Sequence, residues 1–440
     1  MGARGRCIFG RSPLTRPLKH TNMKLAGVRS GSTLITSDNT NSISSSSSSS
    51  TSSIDNAASN KNKSNSNHYA RLMHSDHAEM KELATRICRD YLNGAWKDVT
   101  PQTIGFKHIS GGLSNLLYHI SLPEDAIGGE KYRGEPKEVL IRVYGQTHGD
   151  ADQALACLIT ESVVFTLLSE RGLGPKLHGI FPGGRIEEYI NARTLQTHDL
   201  HDPLYSRLIA EKMAMIHQME VPLHKEPTWL WQTLHRWLNT WKDMSATKLP
   251  PDAQPLQECD LHAEARWIRQ TVDELHCPVA FCHNDMQEGN ILSVQDENEN
   301  NYGEPRLVII DFEYCSYNYR SFDLANHFLE WVYDYTHKSA PYYKATMENY
   351  PSEAQRLHFI HAYLKEQDSD EDPQVLMHEV RVFTLVSHLF WTLWSIVNAE
   401  TSKIPFGYWD YGICRMRSYQ KAKAELQQYH KTHKRKADSP

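Results

Sequence analysis

None of the eight cysteines in this 440-residue chain stands in a CxxC pair, and all eight are widely spread. That spacing excludes a compact zinc cluster and offers no disulfide framework, so reduced thiols in a cytoplasmic protein are expected. The chain also lacks an N-terminal apolar run long enough for a secretory signal. Its first 37 residues lack any acid and carry seven Arg or Lys. Mitochondrial transit peptides share that composition, but a solvated basic tail is the expected reading. Met1-Gly2 begins like a myristoylation signal, yet Arg6 occupies the position that requires Ser or Thr. No internal repeat is evident.

Positive charge is scarce where a nucleic-acid surface would need it. The net charge is −6, from 47 Lys and Arg against 53 Asp and Glu. Residues 1–75 hold ten of the basic residues and only two acids, Asp38 and Asp55. The remaining chain therefore carries −14, which makes it a poor partner for phosphate backbones. The serine run Ser44–Ser50 and its Asn-rich flanks cannot bury a core, so residues 1–75 are expected to be disordered. Val382–Ala399 is the one long uncharged stretch, at 18 residues. Thr384, His388, Thr392 and Ser395 fall on one helical stripe, so a buried helix rather than a transmembrane segment is expected.

Periodicity outlines a folded body from Asp76 onward. Met80, Leu83, Ala84, Ile87, Cys88, Tyr91 and Leu92 predict an amphipathic helix that Asn93-Gly94 ends. Thr103–Ile109, Leu116–Leu122 and Glu138–Tyr144 read as strands, followed by a helix over about Ala151–Arg171 and more strand-like sequence over Gly179–Ile190. That order suits a nucleotide-binding small lobe, residues 76–190. Residues 191–440 read as mainly helical, with a short strand pair, Val279–Cys282 and Arg306–Asp311. The class expected is α+β.

The strongest chemical signal is His283-Asn284-Asp285-Met286-Gln287-Glu288-Gly289-Asn290, followed 26 residues after Asp285 by Asp311-Phe312-Glu313. An apolar strand that ends in a carboxylate presents it at the mouth of a site. The H-x-D-x-x-x-x-N and I-D-F pair is the sequence form of a kinase-type phosphotransfer site. Asp285 is the candidate base for an alcohol proton. Asp311 and Asn290 supply hard oxygen ligands suited to Mg²⁺. In the small lobe, the turn formed by Ser110, Gly111, Gly112, Leu113, Ser114 and Asn115 could cover ATP phosphates with its amides. Arg142 sits mid-strand where a kinase places its phosphate-binding cation, and Glu161 could hold it in position. The backbone of Glu188, Tyr189 and Ile190 is placed to meet adenine.

Together these residues resemble the choline/ethanolamine kinase family. The likeness covers nearly all of His77–Gln428. Its most specific strings are His108–Gly112, Cys282–Leu292, Ile310–Arg320, Phe322-Asp323, Asn326-His327 and Gly407–Tyr411. It implies a protein-kinase-like two-lobed fold, ATP, Mg²⁺, and phosphoryl transfer to the hydroxyl of choline, the first step of the CDP-choline route to phosphatidylcholine. It also implies a homodimer. In the family, positions matching Tyr335, Trp391, Trp394 and Tyr411 line the choline pocket, and Gln287 belongs to the same acceptor site. A quaternary ammonium cannot donate hydrogen bonds, so aromatic faces suit it, at ~0.5–2 kcal/mol per ring. Glu330 and Asp334 could add negative potential. Two alternatives stay open. The acceptor could be ethanolamine, or the chain could be an inactive binding protein of this fold. Retention of Asp285, Asn290, Asp311, Arg142 and Glu161 argues against the second.

Overall fold

The computed structural model describes residues 77–109, 115–144, 151–246, 249–294, 303–402 and 404–437. The expected tail over 1–75 lies outside these residues. So do Ser110, Gly111, Gly112 and Ser114 of the expected phosphate turn, and of Asn115 only the backbone is described.

Helix α1, His77–Tyr91, buries Met80, Leu83, Ala84, Ile87 and Cys88, the stripe its periodicity predicts. It packs beside an antiparallel five-stranded sheet. The strands are β1 (Gly105–Ile109), β2 (Asn115–Ser121), β3 (Glu138–Tyr144), β4 (Leu177–Phe181) and β5 (Gly184–Glu188), in the order β1-β2-β3-β5-β4. Val139, Ile141 and Val143 point from β3 into the core shared with α1, so Leu140 and Arg142 face the opposite way. Helix α2, Ala151–Glu170, joins β3 to β4. Its Val164, Phe165 and Leu168 belong to the larger core of the following residues.

That core is assembled from α3 (Pro203–His217), α4 (Thr228–Ser245), α5 (Leu261–Leu275), α6 (Arg320–Glu330), α7 (Glu353–Glu366), α8 (Pro373–Thr401) and α9 (Tyr408–Ala437). Local signals set the starts. Asp202 accepts from the Leu204 amide (2.8 Å), Asp260 from Ala263 (2.9 Å) and Asp372 from Gln374 (2.9 Å). Pro203 and Pro373 follow two of these caps at the first helical position.

The strand pair expected from Val279–Cys282 and Arg306–Asp311 does not form. Strand β7 (Val279–Cys282) pairs with β10 (Ser316–Tyr319). Strand β9 (Arg306–Ile309) pairs with β8 (Ile291–Val294), which in turn pairs with β6 (Arg193–Thr194). Both partners are four residues long and sit directly beside the chemical motifs, where loop-like residues mask their period.

Helix α8 is long and apolar enough to cross a membrane, but 83% of its apolar window is buried within the fold. The three hydroxyls of its polar stripe are satisfied internally, since Thr384, Thr392 and Ser395 return them to carbonyls of the same helix at 2.8 Å. Six cysteines among the described residues are free thiols.

All eleven residues of α6 are buried. Its His327 places Nδ1 2.8 Å from the Met286 carbonyl and accepts from Trp331 Nε1 at 3.3 Å, so the neutral ring uses both nitrogens. Burial lowers this imidazole to about 4. The unfolded chain takes up a proton near pH 6.5 and the folded chain does not, so the stabilisation is complete above pH 6.5 and is lost as pH falls toward 4. Denaturant unfolding at pH 7 and pH 4.5 should show a loss of about 2 kcal/mol from this residue, and His327→Gln should flatten that part of the profile.

Candidate active site

The site begins with how one loop is gripped. Asp285 follows β7 at the turn that contains Asn284, whose φ of 68° lies in the left-handed region. A non-glycine residue there costs on the order of 1 kcal/mol and needs support. The support is a set of side-chain contacts. Asn284 Nδ2 donates to the Tyr314 carbonyl (2.8 Å) and to Ser316 Oγ (2.9 Å), and its Oδ1 accepts from Asn318 (2.8 Å). From below, the Asp323 carboxylate of α6 accepts the amides of His283 and Asn284, each at 2.8 Å. His217 Nε2 lies 3.0 Å from the same carboxylate, and His217 Nδ1 meets Tyr363 at 2.7 Å. Burial alone would raise Asp323, but these hydrogen bonds and the two histidines hold it below the usual carboxylate range.

The second motif is tied to the first. Ile310 donates its amide to the Asn290 carbonyl at 3.0 Å, and His283 Nε2 lies 3.1 Å from the Ile310 carbonyl. Asp311, the next residue, also takes a positive φ, 67°. Asn290 turns its amide onto the Asp285 carbonyl (2.9 Å) and carboxylate (3.0 Å). Burial, then the charges of Glu330, Asp311 and Glu313, push the Asp285 carboxyl well above its ordinary value. Asp285 and Asp311 are therefore brought to one place, although through β8 and β9 rather than through the expected strand pair. This crowd of oxygen donors with excess negative charge fits a hard divalent cation.

The nucleotide side differs in one detail from expectation. Arg142 is not held by Glu161. Its Nε donates to Glu187 at 2.6 Å. Glu161 instead accepts from Arg185 Nη1 at 2.6 Å, and Arg185 Nε donates to the same Glu187 oxygen at 2.7 Å. Sheet register explains the exchange. Arg142 and Arg185 are cross-strand partners on β3 and β5, and Glu187 lies two residues along on the same face. Burial would lower Arg142, but Glu187 and the more distant Asp311 outweigh it. Arg142 thus feels the carboxylate of the opposite motif. Beyond β5, the Glu188 amide already donates to the Lys176 carbonyl at 2.7 Å. The Tyr189 ring stacks on His119 with centroids 3.8 Å apart, beside a shallow pocket of about 250 Å³.

The four expected acceptor rings converge. Trp391 and Trp394 are 5.3 Å apart and nearly perpendicular, Trp394 and Tyr411 are 6.4 Å apart, and Tyr335 and Tyr411 are 6.2 Å apart. Tyr314 lies 6.1 Å from Trp391, and Phe406 lies 5.5 Å from Tyr411. The sequence reading missed both rings, since each sits in a loop without helical spacing to mark it. Trp391 Nε1 and Ser387 Oγ both donate to Asn326 Oδ1, at 2.7 and 2.8 Å, which sets the Trp391 ring plane. Gln287 is half-buried on the loop after Asp285, against Gly289. Asp334 turns away to its own neighbour Thr336, accepting at 2.6 and 2.9 Å. Arg415 was also missed. It is buried among the rings, with Nη2 2.6 Å from Glu330.

A small antiparallel sheet bearing a buried arginine, set beside a helical body that carries the H-x-D-x-x-x-x-N loop, is the fold of the protein-kinase-like phosphotransferases. The choline/ethanolamine kinase family model matches residues 106–420, and the chain belongs to that family. A human choline/ethanolamine kinase is 45% identical, across 80% of this chain and 88% of its own length. Mouse choline kinase alpha is 40% identical, across 77% and 80%. Among solved structures, a choline kinase from Cryptosporidium parvum aligns with a TM-score of 0.64 at 28% identity, covering 79% of this chain and 97% of that one.

The Arg142–Glu187–Arg185–Glu161 chain makes a direct prediction. Glu187→Gln leaves two buried guanidinium groups short of one carboxylate, and should cost about 3 kcal/mol in urea unfolding. Glu161→Gln leaves Arg185 still bound to Glu187 and should cost about 1–2 kcal/mol.

Proposed function

We propose that this protein transfers the γ-phosphoryl group of ATP to the hydroxyl of choline, the entry step of the CDP-choline route to phosphatidylcholine. The observation that carries this reading is the convergence of Tyr335, Trp391, Trp394 and Tyr411 beside the loop of Asp285. Charge links the two, since Glu330 of the ring cluster is, after burial, the strongest influence raising the Asp285 carboxyl. Rings alone would be an ordinary core, and the carboxylates alone would suit any kinase. Side by side they describe an alcohol with a cationic, hydrogen-bond-poor tail.

In this reading the chain divides into a nucleotide-binding part over 76–190 and a catalytic and acceptor-binding part over 191–440. Arg142 meets the phosphates, oriented by Glu187, while Glu161 acts one step behind through Arg185. The turn over Ser110, Gly111, Gly112, Ser114 and Asn115 covers the phosphates with its amides. Since the Glu188 amide is committed to Lys176, adenine meets the backbone beyond it, at Tyr189 and Ile190. Asp311 and Asn290 are the residues that would hold Mg²⁺, which when bound offsets the charge on the phosphate oxygens. Gln287, two residues after Asp285, contributes to the acceptor site.

Asp285 accepts the hydroxyl proton as the choline oxygen attacks phosphorus. The bond between the γ-phosphorus and the bridging oxygen of ADP breaks, and the proton leaves Asp285 for solvent after phosphocholine departs. Most of the acceleration comes from fixed positions and from charge compensation. Ethanolamine is the competing acceptor, since relatives carry both names.

Asp285→Asn should lower kcat by roughly 10²–10⁴-fold while thermal unfolding stays near that of the native protein. Near-normal turnover would remove Asp285 from the role of base. For the native protein, kcat/KM for choline should exceed that for ethanolamine by at least about tenfold, a difference of ~1.4 kcal/mol. The reverse preference would assign the acceptor to ethanolamine.

A further inference from the structure

The rings of the acceptor site are held by a polar chain that runs behind them. Arg415 donates from Nε and Nη2 to the Tyr411 hydroxyl, at 2.8 and 2.6 Å. Tyr411 and Tyr335 place their hydroxyls 2.9 Å apart, and Tyr335 donates to Glu330 Oε2 at 2.8 Å. Arg415 Nη2 closes the loop on Glu330 Oε1 at 2.6 Å. Because Tyr411 already accepts from the guanidinium, its own proton points to Tyr335, whose proton points to Glu330. The three steps from Arg415 through Tyr411 and Tyr335 to Glu330 therefore run in one direction. Arg415 is fully buried and Glu330 is 2% exposed, so neither charge is screened by water. The guanidinium carbon also lies over the Tyr333 ring, 4.0 Å from its centroid.

Glu330 would otherwise be the natural partner of a cationic substrate. Here both of its oxygens are engaged and its charge is balanced inside the protein. A primary ammonium entering the rings would find faces but no uncommitted acceptor at Glu330. A trimethylammonium group needs only faces.

We infer that Arg415 is the residue that sets acceptor specificity, by sequestering Glu330 and orienting Tyr411 and Tyr335 so that the site selects a quaternary over a primary ammonium. Arg415 acts through the rings and through Glu330, and is a positioning residue rather than a catalytic one. The inference rests on the proposed choline reading of the same site.

The test is a cycle of variants assayed with Mg-ATP on both alcohols, each variant checked by thermal unfolding. Arg415→Gln releases Glu330, so the ratio of kcat/KM for choline to that for ethanolamine should fall by about fivefold or more, with KM for ATP unchanged within about twofold. Arg415→Lys keeps a cation beside Glu330 and should retain the native ratio within about threefold. Glu330→Gln leaves a buried guanidinium uncompensated beside the rings, and should raise KM for choline by about tenfold or more. The double variant Arg415→Gln with Glu330→Gln carries no buried charge, and its KM for choline should return to within about threefold of native.

If the double variant binds choline as weakly as Glu330→Gln alone, Glu330 holds the substrate directly and the inference is overturned. An unchanged acceptor ratio in a folded Arg415→Gln would overturn it as well. Should Arg415→Gln fail to fold, the comparison of Glu330→Gln with the double variant still decides. Absence of turnover of either alcohol by the native protein would instead reject the proposed function.

Discussion

The carboxylate of Asp323 is the support on which the rest of this active site stands. A loop that must carry a carboxylate into a crowded, negatively charged mouth cannot be held by its own backbone pairing, because that mouth is where pairing has to stop. Asp323 supplies what the loop lacks, accepting two consecutive amides from His283 and Asn284. His217 meets the same carboxylate from behind at 3.0 Å. With the amides pinned, Asn284 can take its left-handed conformation, and Asn290 can fold back onto Asp285. Three candidate ligand groups, His217, Cys282 and Asp323, lie within 4.8 Å of one another here, but hydrogen bonds already account for the Asp323 oxygens. The cluster is an anchor for the loop.

Much of this was legible from residues alone, and the pattern of success has a physical basis. Helix α1 announces itself because one face is buried, and burial repeats every third or fourth residue, whereas α8 is marked by its long uncharged run, buried almost all round. Strand β3 was legible because Val139, Ile141 and Val143 alternate with more polar neighbours. The H-x-D-x-x-x-x-N loop was legible because its chemistry demands particular residue types at particular spacings. Strands β8 and β10 were not, since Ser316–Tyr319 and Ile291–Val294 are too short to express a period.

Pairings across the fold were harder to read than elements. Arg142 and Glu161 are well separated members of the same expected network, and both belong to it. Yet Glu187 and Arg185 stand between them, and only the β3–β5 register reveals that. Arg415 shows the same limit on the acceptor side. Its one sequence signal is a cation four residues after Tyr411 on a helix, and such a residue is usually solvated. That it lies at zero exposure against the rings of Tyr333 and Tyr411 and beside Glu330 is a property of how α9 meets the rest of the fold. Local pattern carries no information about that meeting.

Helix α6 has a geometric consequence of its own. Asp323, Asn326, His327 and Glu330 fall at the spacing of a single helical face. Asp323 seats the loop of Asp285, Asn326 sets the plane of Trp391, His327 holds the Met286 carbonyl, and Glu330 anchors Tyr335. The two ends of that face are separated by about 10 Å of helical rise. The helix therefore works as a gauge block, in which the span from the Asp285 loop to the ring cluster is machined into one continuous buried part.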